Sequence, residues 1–143
     1  MEIEASEKIG FALMQRVRSG ADSAVLAEEV VGVWRQIQGV LTPILGRRGM
    51  TVLFKRALSV TGKAVPWLAA VDEQSMTEMD LDALRAACAA QPTNVVVDGA
   101  RAFFKSFYDL LSSLIGASLT AQLLSPVSVT SPHDASETPG HEQ

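Results

Sequence analysis

Three side chains of this chain are of the types that move protons, form covalent intermediates or grip metals near neutral pH: His133, His141 and Cys88. Catalysis by Ser-His-Asp or Cys-His sets, histidine-ligated zinc and histidine-ligated haem all need an imidazole held inside the folded part. Both histidines fall within the last eleven residues, in a stretch of Ser, Thr, Pro, Asp, Glu and Gly. A histidine phosphotransfer bundle is excluded on the same ground, because residues 1–124 hold no phosphoacceptor. Cys88 stands in Ala86-Ala87-Cys88-Ala89-Ala90 with no cation or base beside it, the setting of a buried small residue rather than a nucleophile. A single cysteine also excludes an internal disulfide and a cysteine-rich metal knuckle.

The acidic run Asp72, Glu73, Glu78, Asp80, Asp82 contains an Asp-x-Asp pair but lacks the mid-loop glycine and further oxygen ligands of a calcium loop. Helix capping explains these carboxylates. Gly46-Arg47-Arg48-Gly49 has neither the spacing nor the Lys-Ser/Thr of a phosphate loop. The feature that remains is charge: from Val30 to Val71 the chain carries Arg35, Arg47, Arg48, Lys55, Arg56 and Lys63 and no acidic residue. Two readings fit. The cations are balanced within the molecule by residues 72–82 and Glu28-Glu29, or Arg47, Arg48, Lys55 and Arg56 form a site for an anion or an acidic partner.

These residues must be positioned by a single domain, since 143 residues bury enough surface for one core and leave no room for a second catalytic unit. Hydrophobic residues make up 48% and charged residues 20%, which describes a globular chain. The net charge of −4 disfavours a nucleic-acid partner. The uncharged run from Leu110 to His133 is long enough to cross a bilayer, but its serines, Thr120, Gln122 and Pro126 argue against a membrane span. The acidic start Met1-Glu2-Ile3-Glu4 precedes no apolar signal segment, so a cytoplasmic protein is expected.

Apolar residues recur with a helical period almost throughout. Ser6 is a candidate cap for a helix carrying Ile9, Leu13 and Val17. Asp22 or Ser23 caps a second, with Leu26, Val30, Trp34, Ile37 and Leu41 on one stripe. Pro43 interrupts it, Gly46 suits a left-handed terminus, and a third helix follows over about 49–61. Pro66-Trp67 opens a short turn, Ser75 or Asp80 caps a helix through Leu84 and Cys88, and Thr93 caps a long helix bearing Phe103, Phe104, Phe107 and Tyr108. Val95-Val96-Val97 also fits a strand entering a hairpin, although no partner strand is evident. Residues 125–143 are too polar to offset their ordering entropy and are expected as a flexible tail behind a 1–124 helical domain.

A shift of seventy residues lays Val33-Trp34-Arg35 over Phe103-Phe104-Lys105, Ile37 over Phe107, and Ile44-Leu45-Gly46 over Leu114-Ile115-Gly116. Shared period and cap chemistry produce such a match without duplication, whereas a true repeat would give two pseudo-symmetric halves with a groove between them.

Pro43-Ile44-Leu45-Gly46-Arg47-Arg48-Gly49, with Leu53-Phe54-Lys55-Arg56-Ala57-Leu58 behind it and Leu114-Ile115-Gly116 later, resembles a group of small all-helical bacterial proteins over most of residues 25–124. The resemblance implies a bacterial helical unit. It brings no activity, cofactor or site residue with it.

The expectation is an all-α single-domain bundle of five or six helices with no cofactor and no metal. It acts as a non-enzymatic regulatory or signalling module, binding a protein through an apolar helix face edged by Arg47, Arg48, Lys55 and Arg56. The alternative is a small-molecule sensor, with Trp34, Phe103 and Phe107 lining a pocket between helices. Aromatic rings in excess of what the bundle encloses, Tyr108 among them, would favour a homodimer.

Overall fold

The computed structural model describes residues 5–74 and 80–129, with side chains over 6–71 and 80–129. They form six α-helices: α1 (Ala5–Arg18), α2 (Ser23–Gly62), α3 (Pro66–Gln74), α4 (Leu81–Ala89), α5 (Thr93–Ile115) and α6 (Ala117–Leu124). No strand occurs among the described residues, and Val95-Val96-Val97 lies in the first turns of α5.

Local chemistry explains most boundaries. Asp22 caps α2 by accepting from the Val25 amide at 3.0 Å, and Asp80 caps α4 by accepting from the Ala83 amide at 3.0 Å. Two expected caps are corrected. Ser6 lies inside the first turn of α1 and is buried. Thr93 is the first helical residue of α5, and Pro92 occupies the cap position without a side-chain bond. The α4–α5 loop is tied down instead by the Ser23 hydroxyl, which donates to the Gln91 carbonyl. The alternative cap Ser75 lies outside the described residues.

The helix passes through Pro43 and breaks at Gly46, where φ is 80° and ψ is 163°. This is an extended conformation at positive φ that only glycine adopts without strain, rather than the left-handed helical turn expected there. Gly116, between α5 and α6, repeats it at φ 94° and ψ 148°. Gly46 therefore divides α2 into an N-terminal arm (23–45) and a C-terminal arm (47–62).

The seventy-residue correspondence extends into the packing. Trp34 and Phe104, Ile37 and Phe107, Leu41 and Leu111, and Phe54 and Leu124 are buried in pairs, while Arg35 and Lys105, and Ile44 and Leu114, are exposed in pairs. The first helices are exchanged: α1 packs on α5, and α4 packs on α2. Each exchanged contact carries an ion pair, Glu7–Arg101 at 3.8 Å and Glu28–Arg85 at 2.9 Å. The shorter helix α3 links the halves, and its Trp67 lies so close over Gly99 that a Cβ there would stand 2.5 Å from the ring.

Trp34 is the hub of the core. Phe54, Phe103, Phe104 and Phe107 surround it with ring centroids 5.0, 4.9, 5.2 and 4.8 Å away. Edge-on and offset rings at these separations add to the apolar area they bury.

The chain beyond Leu124 departs from the expected start of a flexible tail. Val127 is buried, and Gln36 pairs with the Ser128 backbone twice, donating to its carbonyl at 2.6 Å and accepting from its amide at 3.1 Å. A short apolar anchor and a two-point amide contact offset the entropy that a polar composition alone suggested would win. The rest of the expected tail, including His133 and His141, lies outside the described residues.

Candidate functional site

The C-terminal arm of α2 buries Met50, Leu53, Phe54, Ala57 and Leu58 against the core. With 3.6 residues per turn, this leaves Arg48, Val52, Lys55, Arg56 and Lys63 on the opposite face. Val52 is 58% exposed and has Arg48 and Arg56 one turn to either side of it. Val60, 44% exposed, lies at the border of the same face. Arg47 is exposed beside the Gly46 break, its carbonyl accepting from the Thr51 hydroxyl at 3.0 Å. One helix thus brings together all four basic residues singled out from the sequence.

Among the described carboxylates, Glu28, Glu29 and Asp82 are engaged away from this face. Glu28 and Asp82 both hold Arg85, at 2.9 and 2.7 Å, and the buried Glu29 holds Arg16 at 3.1 Å. Asp72, Glu73 and Glu78 lie outside the described side chains. Among the described residues Arg47, Arg48, Arg56 and Lys63 make no ion pair, in contrast to Arg16, Arg85, Arg101 and Lys105. The seventy-residue shift lays Arg47, Arg48, Lys55 and Arg56 over Ala117, Ser118, Ser125 and Pro126, and no cation occurs from 117 to 129.

The aromatic candidates are placed differently. Phe103 and Phe107 each pack their rings against Trp34, and all three side chains are buried. Tyr108 is buried beside Phe107 at a centroid distance of 6.3 Å. Trp34, Phe103, Phe104, Phe107 and Tyr108 are thus enclosed within one chain. The Trp34 indole N–H and the Tyr108 hydroxyl are buried without a hydrogen-bond partner. Perpendicular Phe54 and Phe107 rings beside Trp34 offer π-faces and edges in place of a polar acceptor.

Nothing in the described part assembles a reactive centre. Cys88 is buried, and desolvation pushes its thiol up to about 12, leaving it protonated at neutral pH. No three His, Cys, Asp or Glu among the described residues converge as metal ligands. No helix among them is long and apolar enough to cross a membrane.

Sequence reasoning missed Val52 and Phe11, the latter 64% exposed on α1. The signal for both was present, because Ile9, Leu13 and Val17 set a buried stripe that puts Phe11 opposite, as Met50, Leu53 and Ala57 do for Val52.

The described residues define an all-helical bundle with one basic, partly apolar helix face. Comparison with family models, with curated proteins and with solved structures finds no match to this chain.

Proposed function

We propose that this protein is a non-enzymatic, cytoplasmic interaction module that captures a protein partner on the exposed face of the C-terminal arm of α2, in a regulatory or signalling role. The observation that carries this reading is the set Arg47, Arg48 and Arg56 near Val52, which make no ion pair among the described residues, in a chain whose net charge is −4. Surface cations with no local partner are available to steer and orient an oppositely charged protein. Val52 supplies an apolar centre, and a small dry contact ringed by charge is the general anatomy of a protein interface.

A photoreactive amino acid placed at Val52 tests this in the cells that produce the protein. A discrete protein adduct is expected, reduced about tenfold or more by Arg47→Glu with Arg48→Glu while the helical circular-dichroism signal is unchanged. An undiminished adduct, or none, would remove the reading.

A further inference from the structure

We infer that the partner presents an acidic amphipathic helix, laid along the C-terminal arm of α2 with an aliphatic residue over Val52 and carboxylates meeting Arg48 and Arg56. This deepens the proposal above and rests on it.

Charge sets the sign of the occupant. Residues 30–71 hold half of the chain's twelve Lys and Arg and none of its sixteen Asp and Glu. Any partner seated at Val52 therefore meets Arg48 and Arg56 on the axis of the contact and Lys63 further along it. Spacing sets its shape. Arg48, Val52 and Arg56 follow at four-residue intervals, about 6 Å apart along the helix, and a facing helix repeats acidic, aliphatic, acidic at the same interval. An extended segment would gain no main-chain pairing here, since no sheet edge exists among the described residues to receive it.

The other polyanions fit less well. An interfacial membrane helix buries a broad stripe of Trp, Phe or Leu, and this face offers valines only. A single-stranded nucleic acid needs aromatic platforms among the cations, and the rings of this protein are in the core apart from Phe11 on α1 and the half-buried Trp67 on α3.

The test uses the full chain and a synthetic helical peptide of about twenty residues carrying Glu, Leu and Glu at four-residue intervals on one face. A scrambled peptide of the same composition, phosphatidylglycerol vesicles and a single-stranded oligonucleotide serve as competitors. The expected result is that the patterned peptide binds about tenfold more tightly than the scrambled one, and that Val52→Asp and Arg48→Glu with Arg56→Glu each remove that preference. Equal binding of the two peptides, preferred binding of vesicles or oligonucleotide, or no peptide binding would overturn the acidic-helix partner. A protein adduct at position 52 in cells would then still stand, whereas loss of that adduct would remove the broader reading as well.

Discussion

Trp34 and Phe104, seventy residues apart in the chain and equivalent in the two halves, stack on one another with centroids 5.2 Å apart and planes inclined by 28°. Residues matched by the seventy-residue shift thus meet at the centre of the core. The exchange of α1 and α4 between the halves closes the bundle around it.

Truncating either ring opens a cavity at that contact. Trp34→Leu and Phe104→Leu are each expected to cost about 3 kcal/mol in urea denaturation followed by circular dichroism. The double variant should fall short of the sum by about 1 kcal/mol, because the rings contact each other. Strict additivity would show that the stack contributes nothing beyond its area.

Glycine substitutions should separate by backbone conformation. Gly46→Ala and Gly116→Ala place a Cβ at positive φ, 80° and 94°, and should each lose about 1–3 kcal/mol. Gly39 lies within the N-terminal arm of α2 with open space around it, so Gly39→Ala should gain about 0.5–1 kcal/mol. Thermal melting of the three variants checks the contrast.

Glu29 has a fully buried side chain, with Arg16 beside it at 3.1 Å. Arg16→Met takes the cation away from a buried carboxylate and should cost about 3 kcal/mol at pH 7. Urea denaturation of the variant checks this, and an unchanged midpoint would show that the pair adds nothing to stability.

Alkaline pH should destabilise the fold through two groups. Burial raises the Cys88 thiol from 9.0 to about 12 and also pushes the Tyr108 hydroxyl upward. Both native pKa values exceed the unfolded ones, so each contribution is complete well below the unfolded value, 9.0 for Cys88 and 10.0 for Tyr108, and declines above it as the unfolded chain loses protons first. The stability should fall by up to about 1.4 kcal/mol per pH unit for each group in that range. Cys88→Ala should flatten the first part of this decline, and in the native protein at pH 8 the thiol should resist a disulfide reagent until the chain unfolds.

The sequence by itself determined the helices, their breaks and the basic face. Apolar spacing, the Asp22 and Asp80 caps and the glycines at 46 and 116 act within a few residues, so they are readable without knowing what lies across the core. The paired pattern of Trp34 with Phe104 and of Ile37 with Phe107 was legible for the same reason. Only the tertiary structure decided that four phenylalanines close around Trp34, that Gln36 anchors Ser128, and that Arg85 rather than the 47–56 face takes Glu28 and Asp82. Those choices depend on which helices cross, and helical period specifies the side a helix buries but not the neighbour it is buried against.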